Sequence, residues 1–148
     1  MSITKQALRF ILEDDKASPI KGDFLSVGNA SILIDSSTLK TLLQEYSKKY
    51  EEDWFTENEN IDFQTRATQK VPHPCVKQEV LLKSLFPGIT SFSILDCSDY
   101  EGADIVCDLN QVKEEEIQSR FDYIFDGGVF DNIFNPANAL INLNNFLK

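Results

Sequence analysis

Three short apolar runs in the second half of the chain each close on an aspartate. Residues 91–95 lead into Asp96, residues 104–107 into Asp108, and residues 121–125 into Asp126-Gly127-Gly128. Runs this short, bounded by turn-forming residues, read as strands rather than helices. Short apolar runs of this kind suit the buried strands of a parallel sheet. An earlier run, Phe24-Leu25-Ser26-Val27, closes on Gly28 and reads as a fourth such strand. In a parallel sheet the carboxyl ends share one rim, and ligands bind there. That rim would carry Gly28, Asp96, Asp108 and Asp126.

The segments between these runs predict helices. Ile3, Ala7, Leu8, Ile11 and Leu12 fall at helical spacing, and Asp14-Asp15 ends that helix ahead of Ser18-Pro19. Ile32-Leu33-Ile34 is another short apolar run. Asp35, Ser36 and Ser37 offer helix caps ahead of Leu39, Leu42, Leu43, Tyr46 and Tyr50. Residues 76–86 resume a helical pattern with Val80, Leu81 and Leu85 inward, stopped by Pro87-Gly88. Asn135-Pro136 starts a last helix, with Ala139, Leu140, Leu143 and Leu147 as its buried stripe. Residues 51–75 fit neither period and read as a long irregular excursion, packed down by Trp54, Phe55 and Phe63. With 148 residues and no internal repeat, the expectation is a single α/β domain over residues 1–148.

Charge narrows the partners. The chain carries a net charge of −10, and eleven acids face two bases between Asp96 and Asp131. A phosphate backbone is repelled by such a stretch, so no nucleic-acid partner is expected. No run of about 18 apolar residues exists, so no membrane span is expected. The first residues carry no long apolar run, so no signal peptide is expected. Three cysteines without CxxC spacing suit a reducing, cytoplasmic setting. Cys97 and Cys107 adjoin strand ends and read as small buried hydrophobes. His73, the one histidine, stands between two prolines and reads as structural. Asp96, Asp99, Asp104 and Asp108 offer oxygen ligands for a hard cation, but in no EF-hand register.

The rim chemistry suits a nucleoside. A carboxylate past one strand accepts from a ribose diol, and one past the next accepts an exocyclic adenine amine. Glycine past the first strand admits a ligand close to the backbone. No GxGxxG or GxxxxGK[ST] is present, so the usual diphosphate cradle is missing.

The run Ile94-Leu95-Asp96-Cys97-Ser98-Asp99-Tyr100-Glu101-Gly102-Ala103-Asp104-Ile105-Val106, with Asp108-Leu109-Asn110, resembles a branch of the class I S-adenosylmethionine-dependent methyltransferases. Phe121-Asp122-Tyr123-Ile124-Phe125-Asp126-Gly127-Gly128 and Leu25-Ser26-Val27-Gly28-Asn29 are similar to its fourth strand and its first strand and turn. The resemblance implies a partial Rossmann-like sheet taken from the order 3-2-1-4-5-7-6, lacking the C-terminal strands. It implies S-adenosylmethionine as cofactor, held by Gly28, Asn29, Asp96, Cys97, Asp108, Leu109, Asp126 and Gly127. Asp96 would sit at the ribose and Asp108-Leu109 near adenine.

Two functional readings follow. One is an S-adenosylmethionine-dependent methyltransferase-like protein with a small-molecule methyl acceptor and no residue marked as a catalytic base. The other is a non-catalytic module of the same fold that acts in protein–protein association. A half sheet leaves an uncovered edge, which predicts either a homodimer through that edge or cover from residues 32–34 or 51–75.

Overall fold

The computed structural model describes residues 2–52, 77–111 and 117–148. The chain is α/β, with parallel strands and helices packed on them. It divides into two compact units, one holding Ile20–Asn29 and Pro87–Lys148, the other Ser2–Pro19 and Ala30–Phe86.

The first unit is built on β2 (Lys21–Val27), β4 (Gly88–Asp96), β5 (Ile105–Val106) and β6 (Tyr123–Asp126). All pairings are parallel, in the order β5-β4-β2-β6. The central strand β2 is buried from Phe24 to Val27, which is why its apolar run is unbroken. Ser26 is the one polar residue between Phe24 and Val27, and its hydroxyl donates to the Gly28 carbonyl at 2.8 Å. Leu25 and Val27 share one core with Leu95, Cys107, Leu109 and Phe121, closed by Ala139 and Phe146 of helix α4 (Pro136–Phe146). Phe24 belongs to an aromatic row. Its ring stacks on Phe92 of β4 at 5.1 Å and on Tyr123 of β6 at 5.2 Å.

The amino ends of these strands are tied by charge. Lys148 Nζ donates to Asp23 at 2.7 Å and to Asp122 at 2.8 Å. Asp122 also accepts the Asp23 backbone N–H at 2.7 Å, and Ser91 donates to Asp23 at 2.6 Å. Gly22 makes this possible: its φ is +83°, and a Cβ there would lie 2.2 Å from the Asp122 carboxylate oxygen. The Lys148 ammonium holds both carboxyls below the usual aspartate range, and the carboxylates push Lys148 up. Depressed carboxylates add stability above their ordinary pKa of 3.8, and lose it as pH falls through the lowered values. The raised lysine adds stability below its ordinary 10.5, and loses it as pH climbs through the raised value. The melting-temperature gap between wild type and Lys148→Met should therefore be constant between those limits and close outside them. The groups are exposed, so the gap should be small and shrink with salt. A gap that ignores both pH and salt would refute the clamp.

The second unit pairs β1 (Ser2–Thr4) with β3 (Ser31–Leu33) in parallel. Helix α1 (Lys5–Ala17) buries Leu8, Ile11 and Leu12, and helix α2 (Ser36–Glu45) buries Leu39, Leu42 and Leu43. Helix α3 spans Gln78–Leu85. Asp35 caps α2, accepting from Thr38 N at 2.9 Å and from the Ser37 hydroxyl at 2.6 Å. Those two donors hold its carboxyl far below the usual range.

Several expectations are corrected. Ile3 lies in β1, not in the first helix, and Asp14 and Asp15 lie inside α1, which runs on to Ala17. Thr4, a polar residue that accepts from Ala7 N, separates the two elements. The run at residues 32–34 does not cover the four-stranded sheet, because β3 is taken up by β1. Val80 is exposed and Leu82 is buried in α3. In α4 the buried stripe is Ala139, Asn142 and Phe146, while Leu140 and Leu147 are exposed. Cys97 is exposed rather than buried. The excursion's Trp54, Phe55 and Phe63, and His73, lie outside the described residues. Among those that are described, no helix is long and apolar enough to cross a membrane.

Candidate functional site

Register puts the carboxyl ends of the strands level. Val27 of β2 is opposite Leu95 of β4 and opposite Asp126 of β6, and Leu95 is opposite Ile105 of β5. Adjacent strands lie about 4.8 Å apart. One step on, Gly28 therefore leaves the sheet between Asp96 on one side and Gly127 on the other. Asp96 and Asp126, on the strands flanking β2, are separated by roughly two strand spacings, about 10 Å.

The four strand-end residues named from sequence thus lie on one rim. Gly28 follows β2 with φ +86°, a conformation open to glycine at no steric cost. Its N–H donates to the Leu95 carbonyl at 2.7 Å, locking the turn to β4. Asn29 donates its side-chain amide to the Glu101 carbonyl at 2.9 Å, tying this turn to the loop after β4. Asp96 and Asp126 are the last residues of β4 and β6. Asp108 lies two residues past β5, and Cys107 N anchors that exit by donating to the Asp96 carbonyl at 2.8 Å.

Each of these aspartates also organises its own turn. Asp96 accepts the Cys97 N–H at 2.6 Å. The Cys97 thiol is hydrogen-bonded to that carboxylate, which pushes the thiol up and away from a reactive thiolate. Asp108 accepts from Asn110 N and from the Asn110 amide, each at 2.9 Å, and from the Gln111 amide at 3.0 Å. Asp126 accepts the Val129 N–H at 2.9 Å, opening a short 3-10 turn over Phe130–Asn132. These bonds hold the carboxylates in place instead of letting them swing.

A second set of residues sets the position of the Asp108 loop, and the sequence reading passed over it. Asn135, Asn138 and Asn142 hold the 108–111 loop from α4. Asn135 N donates to Asn110 Oδ1 at 2.9 Å, and the Asn138 amide donates to the Asn110 carbonyl at 2.9 Å. The Asn142 amide donates to the carbonyls of Leu109 at 3.2 Å and Gln111 at 2.6 Å. The available signal was the asparagine spacing, which puts Asn135, Asn138 and Asn142 on one helix face.

The electrostatics are one-sided. Asp96 and Asp126 end their strands, and Asp99, Glu101 and Asp108 follow strand ends. The described bases of this unit, Lys21, Arg120 and Lys148, lie at or before the strands' amino ends or in the clamp beneath them. Such a rim attracts cationic ligands and offers many acceptors. Among the described residues no group of three or more His, Cys, Asp or Glu is placed to hold a metal ion. Asp104, one of the carboxylates considered for a cation, accepts the Ile94 N–H at 2.8 Å along the edge of β4.

A cleft of about 520 Å³ lies in the other unit, lined by residues including Leu12, Glu13, Asp15, Tyr46 and Lys48. Its polar groups serve each other. Lys48 pairs with Asp15 at 2.7 Å and donates to the Leu85 carbonyl at 3.0 Å, and Tyr46 donates to Glu13. The rim, which sets a row of carboxylates at the ends of neighbouring parallel strands, is the better candidate. No protein-family model, no curated protein and no solved structure matches the chain.

Proposed function

We propose that the carboxyl rim of the four-stranded sheet binds an adenine nucleoside, and that its ligand is S-adenosylmethionine. On this reading the unit is Rossmann-like and methyltransferase-like. The observation that carries it is the path of the chain. From β2 it moves outward through β4 and β5, then returns to pair β6 on the other side of β2. The switch point of such a sheet lies at the central strand's tip, and ligands bind there. That tip is Gly28, flanked by Asp96 and by Asp126-Gly127.

The residues fit that group. Asp96 would accept from the ribose diol, and Asp108 with Leu109 would border adenine. Gly28, Asn29, Cys97 and Gly127 would form the floor. An acidic rim suits a ligand bearing a sulfonium and an ammonium. It does not suit a diphosphate, and the Gly28 N–H is already donated to Leu95. When bound, S-adenosylmethionine supplies an electrophilic methyl group. The chain's contribution is to hold and orient the nucleoside, a positioning role.

Titration calorimetry and thermal shift with S-adenosylmethionine and S-adenosylhomocysteine test this. Saturable heat and a rise in melting temperature are expected, since a ligand that binds only the folded state stabilises it. A hydrogen bond to a charged group contributes about 1.5–3 kcal/mol, so Asp96→Ala should weaken binding at least about tenfold. Its circular dichroism should match wild type. No thermal shift at millimolar ligand, or undiminished affinity in Asp96→Ala, would overturn the assignment.

A further inference from the structure

Asp108 is held by a line of hydrogen bonds that ends on another element. Asn110 donates twice to Asp108 Oδ1, from its backbone N–H and from its side-chain amide, each at 2.9 Å. The backbone bond stays within one turn and ties the carboxylate to its own loop. The side-chain bond reaches further. Asn110 Oδ1, at the other end of that amide, accepts the backbone N–H of Asn135 at 2.9 Å. Asn135 lies 25 residues on and caps α4. The Asn110 carbonyl also accepts from the Asn138 amide at 2.9 Å. Carboxylate, Asn110 amide and the start of α4 are thus joined in series.

The series has a direction. A backbone N–H can only donate, so Asn135 fixes which end of the Asn110 amide is oxygen. The NH2 end is left to face Asp108, and an NH2 group also can only donate. Residue 108 must therefore present an acceptor at Oδ1. Asp108 and Asn110 are both half-buried, which strengthens these bonds over the same contacts in open water.

We infer that Asn110 is a positioning residue for base selection: it holds the Asp108 carboxylate so that the rim takes a 6-aminopurine and refuses a 6-oxopurine. The inference rests on the nucleoside reading and adds to it the group that sets the choice of base. Adenine carries an exocyclic amine, which donates to a carboxylate. Hypoxanthine has a carbonyl oxygen at that place, which meets the carboxylate acceptor to acceptor. A carboxylate fixed in position enforces the difference, and one free to turn away does not. With Oδ1 engaged by Asn110, Oδ2 is the oxygen assigned to the base. The same geometry says how selection would invert. Asparagine at position 108 has one oxygen and one NH2. The two Asn110 donors would take the oxygen, leaving the NH2 where Oδ2 had been. Gln111, whose exposed amide donates to Oδ2 at 3.0 Å, can turn its own oxygen to meet it. The rim would then offer a donor and prefer the 6-oxo base.

Calorimetry with S-adenosylhomocysteine and S-inosylhomocysteine, which differ only along the purine edge at position 6, tests this. Wild type should favour the adenosyl compound by at least about tenfold, the effect of one hydrogen bond to a charged group. Asp108→Asn should reverse the preference. Asn110→Ala should bring the two affinities within about threefold of each other, because the carboxylate is no longer tied to α4. In Asp108→Asn/Asn110→Ala the reversal should be lost. A residue that only held the loop together would weaken both ligands alike and leave their ratio unchanged. Circular dichroism checks folding, and Asp108→Asn, which keeps every backbone bond, carries the test alone should Asn110→Ala not fold. An unchanged ratio in folded Asn110→Ala, or Asp108→Asn that still prefers the adenosyl compound, would sink the inference and leave the nucleoside reading standing. A wild type that binds neither compound would sink both.

Discussion

Phe24→Ala is expected to be the most damaging single substitution in the unit built on the four-stranded sheet, costing about 3–5 kcal/mol of stability. Phe24 is 1% exposed and sits on the central strand, so the loss cannot be absorbed at an edge. Its ring stacks on two neighbours at once, nearly parallel to Phe92 at 8° and to Tyr123 at 20°. Truncation removes both stacks and leaves a cavity across three strands. Aromatic pairs contribute about 0.5–1.5 kcal/mol beyond the area they bury, so the upper half of the range is favoured. For a chain of this size the melting temperature should drop by about 6–20 °C. Phe24→Leu, which fills most of the volume, should recover more than half of the loss. Chemical denaturation of the three proteins checks this. A cost below about 1 kcal/mol for Phe24→Ala would show that the aromatic row is not part of the folded core.

Asn142→Ala is expected to cost about 2–4 kcal/mol. The side chain is buried, and its amide donates to the carbonyls of Leu109 and Gln111. Alanine leaves both acceptors short of a donor, the Leu109 carbonyl in a buried place and the Gln111 carbonyl in a part-buried one, at about 1–3 kcal/mol each before relaxation. Asn142→Asp should be at least as damaging at neutral pH, because a carboxylate would face two carbonyls. It should regain stability as the pH is lowered and the acid protonates. Thermal melts of the three proteins across pH separate these outcomes. Equal stability of Asn142→Asp at acid and neutral pH would show that the amide does not serve as the donor. The variant also bears on the rim, because the Asn142 amide is one of three that pin the Asp108 loop to α4.

The sequence carried β2 well because burial from Phe24 to Val27 leaves an apolar run. The runs ending in Asp96 and Asp126 mark β4 and β6 as well, although most residues of those strands are only half-buried or exposed and β6 begins at Tyr123, past Phe121 and Asp122. β1 left no such trace. It is three residues long with one buried side chain, Ile3, which helical spacing claimed as readily. Helix α4 shows a different limit. Its start was legible because Asn135 caps Asn138 N and Pro136 needs no hydrogen-bond partner at the first position. Its inward face was not. Apolar residues occupy both sides, and periodicity alone cannot say which stripe meets the sheet. An amide that finds two carbonyls decided it against Leu140. At the rim, residue type and strand position were legible, while the bonds each aspartate makes within its own turn depend on backbone geometry after the strand.

β2 and β4 are hydrogen-bonded neighbours, yet the chain passes through residues 28–87 between them. Closing so long a loop adds little to the equilibrium cost, since that cost grows only with the logarithm of length. It does govern timing. During synthesis β2 leaves the ribosome before either flanking strand, and β4 begins only at Gly88, after residues 28–87 have been made. The central strand, with its buried Phe24–Val27 stretch, must therefore wait with both edges open, which makes the nascent chain, rather than the finished protein, the form most exposed to misassembly.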